Sequence, residues 1–229
     1  MSVHLNREID NLKARILELS TLVEENVWRA VRSIERRDAK LAEEALNSDA
    51  RIDAMEIEVE EECLKILALH QPVAIDLRFI VALLKINNDL ERIGDLAINI
   101  AERGSVLAML EEVDMPFDFP GMAAKAQWML REGLDALVNM DTSLAHEVRR
   151  ADDQVDEINR RMYAQVKEGI RSQPQHMEQF IHLLCVSRHI ERIGDHASNI
   201  AEDVIYMAEG QIVRHRKERY ESVDGPSQN

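Results

Sequence analysis

Glycine, proline and aromatic residues are scarce in this chain. It has eight Gly, five Pro, four Phe, three Tyr and two Trp among 229 residues. So little turn material argues against a fold made of many short, tightly connected elements. Cysteine is nearly absent too. Cys63 and Cys185 lie far apart and form no CxxC pair, which excludes a disulfide framework and points to a reducing, cytoplasmic setting. No apolar run approaches the roughly 18 residues of a membrane span. The opening MSVHLNREID carries no apolar signal-peptide segment, so no direct membrane insertion is expected. Positive charge is also short: 28 Lys and Arg face 43 Asp and Glu, a formal net charge of −15. Such a surface repels phosphate backbones, and nucleic acid is excluded as an expected partner.

What remains is helix-forming material. Ala, Leu, Glu and Arg dominate, and 45% of the chain is apolar, enough for a substantial core and an all-α fold. Leu5, Ile9, Leu12, Ile16, Leu19, Val23, Val27, Ala30 and Ile34 step by three and four, the spacing of one helix face. Asp38 is placed to cap a second long helix marked by Leu41, Ala45, Ser48, Ile52, Met55, Val59, Ile66 and Leu69. HQPVA interrupts it, and Pro72 suits the first turn of a third helix running to about Met109. EEVDMPFDFP, with Pro116 and Pro120, reads as a linker. The pattern then restarts. One helix runs from about Met122 to Asp141, a second N-cap. Another reaches about Arg171, Pro174 repeats the break, and a sixth helix ends near Ala208.

The chain therefore repeats itself. ERIGDLAINIAE at 91–102 returns as ERIGDHASNIAE at 191–202, ten of twelve positions matching. Asp38, Asp49, Pro72 and Glu91 recur as Asp141, Asp152, Pro174 and Glu191, the offset drifting from 103 to 100. The expected architecture is two tandem, pseudo-symmetric three-helix bundles of long antiparallel helices: 1–112, 119–210, and a tail at 211–229.

Within each ERIGD, two acids lie at i and i+4, on one helix face. Like charges there cost the helix a few tenths of a kcal/mol, and a mid-helix Gly costs up to about 1 kcal/mol. Gly94 and Gly194 admit a close neighbour; the acids need another reason. The preceding helices carry matching pairs, Asp49 with Asp53 and Asp152 with Asp156. Asp53 and Glu91 each lie 19 residues from Pro72, Asp49 and Asp95 each 23. In the second unit Asp156 and Glu191 lie 18 and 17 residues from Pro174, Asp152 and Asp195 22 and 21. Antiparallel helices of equal rise bring each set of four carboxylates level. Their repulsion calls for a proton, an Arg92 or Arg192 partner, or a hard cation such as Mg²⁺, Ca²⁺, Mn²⁺ or iron. Asn88, Asn99, Glu102, Asn199 and Glu202 lie on or beside these rows, as extra ligands or as groups that orient them. Glu56 extends the first row, with Asn159 as its counterpart.

Two such units, each with a D/ExxxD on its second helix and ERIGD plus NIAE on its third, resemble the PhoU family over residues 4 to about 210. The resemblance implies a cytoplasmic negative regulator of phosphate uptake and of the phosphate-starvation regulon, often dimeric. Its expected partners are the phosphate ABC transporter, through the ATPase subunit, and the phosphate-sensing histidine kinase. It also implies metal (iron, manganese, magnesium or zinc, the identity open) at Asp49, Asp53, Glu91 and Asp95, and at Asp152, Asp156, Glu191 and Asp195.

Two rivals stand beside this reading. A carboxylate-bridged metalloenzyme would favour ExxH motifs, and none occurs. Nor does a GxxxxGK[ST] or GxGxxG loop, and no nucleophile or His base sits by the acids, so no catalytic residue is named. A structural scaffold would carry its acids for solubility alone. With no Arg/Lys nest or Gly-rich loop, phosphate is expected to reach the protein only through bound metal. His182, His189 and His196, with Cys185 among them, form a stripe that the first unit replaces with Ala82, Asp89, Leu96 and Lys85. It reads as a packing or partner face, or as a soft-metal site. RHRKER at 214–219 reads as cations at a helix C-terminus or as a contact for an acidic partner.

Overall fold

The structure, a computed structural model, describes residues 3–113, 118–210 and 213. These form seven α-helices and one short 3-10 turn: α1 (Val3–Arg36), α2 (Ala39–Leu46), α3 (Asp49–His70), α4 (Ile75–Met109), α5 (Phe119–Asn139), α6 (Thr142–Ser172), the turn Pro174–His176, and α7 (Met177–Glu209). The all-α expectation holds, and no strand occurs among the described residues. All nine apolar positions read along α1 are buried.

The chain turns at matching places for matching reasons. Arg37 and Met140 adopt left-handed backbone angles, φ 51° and 53°. Asp38 then accepts the amides of Lys40 and Leu41, and Asp141 accepts that of Leu144. These carboxylates satisfy first-turn donors that have no partner within the helix.

Three boundary expectations are corrected. The second helix of the first unit is two helices, because the chain breaks at Asn47–Ser48. There the Ser48 hydroxyl turns back to the Ala45 carbonyl, a local bond that competes with helix continuation. Its counterpart α6 runs unbroken for 31 residues. Pro72 lies before α4 rather than in its first turn; Gln71 and Ala74, both at positive φ, make the reversal. Pro120 is inside the first turn of α5, where a missing N–H costs nothing, so the helix starts earlier than Met122. Leu69, on the apolar spacing that marked this helix, is 67% exposed. Pro116 and the 214–219 segment lie outside the described residues.

The units share one core. α4 packs on α1, α2 and α3, α7 packs on α5 and α6, and α4 and α7 pack on each other. They run antiparallel: Gln179, His196 and Asp203 of α7, and Gly210 just past its end, meet Glu111 just past α4, then Asp89, Lys85 and Arg78 of α4, in reverse order. Both ERIGD segments thus lie on the two central helices, each facing outward to its own unit's acid-bearing helix.

Candidate functional site

The acid rows are carried by helix pairs, α3 with α4 and α6 with α7. Close approach is possible because glycine replaces a side chain at each crossing. A Cβ on Gly94 would stand 3.1 Å from the Ile52 side chain of α3. On Gly194 it would meet Asp152 of α6 at 3.6 Å and Met129 of α5 at 3.7 Å.

The expected levels are those at which the acids feel one another. Burial, then the charges of Asp53 and Asp95, raise the Asp49 carboxyl above its ordinary value. Burial and Asp95 raise Glu91, Arg92 pulls it back, and Asp53 adds to the rise. In the second unit burial, Asp195 and Asp156 raise Glu191, and burial with Asp156 raises Asp195. Asp152 moves most: burial, then Asp195 and Asp156, push it up to about 7. All four cross-helix pairs read from the proline distances therefore interact: Asp49 with Asp95, Asp53 with Glu91, Asp152 with Asp195, and Asp156 with Glu191. The acids form open rows, however. Among the described residues no three His, Cys, Asp or Glu stand close enough to enclose an ion.

The rows differ in how their charge is balanced. Arg92 spans the first, 3.4 Å from Glu91 and 3.4 Å from Asp95. Among the described residues Arg192 forms no such pair. The first row carries its counter-charge in ion pairs. In the second, Arg188 and Arg192 act on Glu191, and Arg192 on Asp195, without an ion pair among the described residues, and Asp152 is the most strongly perturbed acid.

The flanking residues divide. Asn88 and Glu102 are exposed. Asn99 donates to the Asp95 carbonyl at 2.8 Å, within its own helix. Asn199 donates to Asp89 across the α4–α7 interface at 3.2 Å, and Glu202 pairs with Arg149 of α6 at 3.3 Å. The residue that does reach the first row is one the spacing did not single out. Asn87, 1% exposed, donates to the Glu56 carbonyl at 2.9 Å and to its carboxylate at 3.0 Å. The Asn87–Asn88 doublet held that signal, and helix rotation decided which amide turned inward. The histidine stripe proves to be interface: His196 Nδ1 lies 2.8 Å from Asp89 Oδ1. Lys85 reaches Asp203, 2% exposed, at 3.2 Å.

The PhoU domain model matches residues 16–104 and again 119–204, one match for each unit. The chain belongs to the PhoU family. It is 36% identical to a phosphate-specific transport system accessory protein PhoU homolog of Aquifex aeolicus, over 93% of this chain and 96% of that one. A Pseudomonas aeruginosa protein of the same description is 35% identical over 94% and 89%. Among solved structures, the chain is similar to the crystal structure of PhoU from P. aeruginosa, with TM-score 0.86 and 35% identity over 90% of this chain and 99% of that one. The phosphate transport system regulatory protein PhoU from Streptococcus pneumoniae gives TM-score 0.81 and 28% identity over 91% and 99%. Both PhoU matches span their unit's acid row, Asp49–Asp95 in one and Asp152–Asp195 in the other.

Proposed function

We propose that this chain is an accessory regulator of phosphate transport, not an enzyme, working through protein contacts and holding metal at its two acid rows. The observation that carries the regulatory reading is the double PhoU match over nearly the whole chain, with relatives named as accessory and regulatory proteins of phosphate transport. Its partners on this reading are the transporter's ATPase subunit and the phosphate-sensing histidine kinase. It acts as a homodimer in the cytoplasm and holds down the phosphate-starvation genes. No described helix is long and apolar enough to cross a membrane, which agrees with a role exercised on membrane partners from outside the bilayer.

The donor set fits a hard cation. Every group in the rows is a carboxylate oxygen, and the mutual upward pKa shifts mark charge that a cation would relieve. Asp49, Asp53, Glu91 and Asp95 would hold one ion, and Asp152, Asp156, Glu191 and Asp195 another, once the side chains of each open row draw in around it. Bound there, a cation turns repulsion between helices into attraction and ties the outer helix of each unit to its central one.

The regulatory reading is tested by deletion. Loss of the protein is expected to raise phosphate-starvation reporters in phosphate-rich medium, and the tagged protein to retain the transporter ATPase and the kinase in pull-downs. Unchanged reporters together with neither partner recovered would overturn it.

A further inference from the structure

RHRKER at 214–219 sets four Lys and Arg among six residues, in a chain of net charge −15, and the acid rows make no use of it. It is not the cationic end of α7. That helix stops at Glu209, and Gly210, at φ 71°, donates its amide to the Tyr206 carbonyl. This left-handed cap turns the chain off the helix axis. The turn lies against α4: a Cβ on Gly210 would stand 3.3 Å from the Arg78 guanidinium. Val213 then packs, partly buried, on the hydrophobic core, so the chain has not left the body when it reaches Arg214.

An open groove begins beside that point. Phe79, next in the chain to Arg78, and Leu83 of α4 floor a cavity of about 210 Å³, walled by Ile16 and Leu17 of α1 and by Leu137 and Val138 of α5. Lys13 lies over the Phe79 ring, 5.3 Å from its centre. Lys13 and Phe79 also border a second cavity, of about 320 Å³, whose acids are Asp10 and Asp76. α5 runs parallel to α7, since Met129 lies by Gly194 and Gly133 by Ala197. The α5 wall of the groove and the last turn of α7 are therefore at the same end of the molecule. Val138 is 51% exposed and Met140 40%, apolar surface left to water beside an acidic shelf. The apolar cavity is smaller than the roughly 300–1,000 Å³ of a drug-sized ligand site, and it suits one or two side chains.

We propose that this groove is the seat of the chain's own C-terminal segment. The bases of 214–219 cross the shelf of Asp10 and Asp76, and Tyr220, the one Phe, Tyr or Trp beyond α7, enters the apolar cavity against Phe79. Reach, charge and size agree. The ten residues from Gly210 to Tyr220 span up to about 33–36 Å when extended, whereas Arg78 and Leu83 are only about 7.5 Å apart along α4. Exposed ion pairs alone hold little, so Tyr220 is the anchor, by aromatic packing and burial, and the bases set its salt dependence. Tethering raises the local concentration of the segment to about the millimolar range, an advantage that a free partner of the same composition lacks. The groove is walled by α1 and α4 of the first unit and α5 of the second, so the seated segment straps the two units together and shields Val138 and Met140.

The test is amide hydrogen exchange, read by mass spectrometry on the full chain, with a synthetic peptide of residues 214–229 as the unprotected reference. Amides around Tyr220 should exchange about tenfold or more slowly than in the peptide, and about 1 M salt should remove part of that protection. Tyr220→Ser should return the segment to peptide rates and speed exchange at the end of α5. Val138→Lys, at an exposed groove position and with unchanged circular dichroism, should do the same from the other side of the contact. Asp10→Lys should weaken protection in part and blunt its salt dependence. Peptide rates in the parent chain would overturn the proposal. So would protection that survives both Tyr220→Ser and Val138→Lys, since the segment would then be ordered without the groove. Protection that fades as the protein is diluted would place the segment on a second copy and overturn the tethered seat.

Discussion

Arg92 and Arg192 hold the same place in the two ERIGD pentapeptides, yet only Arg92 pairs with the acids of its row. Arg188 and Arg192 act on Glu191, and Arg192 on Asp195, without an ion pair among the described residues, so the charge of the second row is less tightly compensated. Two like charges 4 Å apart repel by about 4 kcal/mol at an effective dielectric near 20, so the less neutralised row gains more from a cation. The tighter metal equivalent is expected in the second unit. Asp195→Asn should remove it, whereas Asp95→Asn should leave it and lose only a weaker one. Elemental analysis after dialysis against graded EDTA checks this, and equal loss in both variants would contradict it. The pH response follows from Asp152. Its folded carboxyl, pushed up to about 7, binds protons more tightly than in the unfolded chain, where it titrates near 4. The folded state then holds more protons between about pH 4 and pH 7, and stability falls as pH rises through that window. In EDTA-treated protein, Asp152→Asn should flatten this fall and stabilise the chain at pH 8. The gain is on the order of 1–2 kcal/mol, discounted because water still reaches this half-buried group. Parallel pH–stability curves for variant and parent would refute the assignment.

At the scale of the helix, the sequence was most legible where a local rule and the tertiary structure asked for the same residue. The nine-residue apolar stripe of α1 needed only its period, and Asp38 and Asp141 needed only first-turn amides to cap. The levels of the acids needed only rise per residue and a turn at each proline. Legibility failed where rotation or environment decided. Ser48 fitted the apolar seam by spacing but broke the helix by bonding to Ala45. Leu69 fitted the period but is 67% exposed, turned away from the core. Asn87 and Asn88 differ by about 100° around the helix, which no count along the chain resolves without knowing the partner's position. The two glycines at the crossings read alike in sequence and differ in space. Gly194→Ala meets its neighbours at ordinary contact distance and should stabilise the fold by ~0.5–1 kcal/mol through helix propensity. Gly94→Ala presses on Ile52 and should gain nothing or lose stability. Thermal melts of the two single variants decide this, and equal gains would show that Ile52 yields freely.

Two repeats of one unit invite the view that each folds alone, but the packing of α4 on α7 argues otherwise. That interface holds the Lys85–Asp203 and Asp89–His196 pairs, whose partners come from different units. Neither unit keeps its central helix covered when the other is removed, since the exposed face would be apolar and carry buried-type acids. Burial on both sides of α4 and α7 makes the molecule one cooperative block. Lys85→Ala tests this, because it weakens only the contact between units. Asp203 is 2% exposed, and loss of a charged partner at such a site costs about 1–3 kcal/mol. In a cooperative block the whole transition should shift down by a few degrees, near 2–4 °C per kcal/mol for a chain of this size, while remaining single by calorimetry and by far-ultraviolet circular dichroism. Were the units autonomous, the same substitution would leave their separate melting temperatures almost unchanged, and two transitions would emerge.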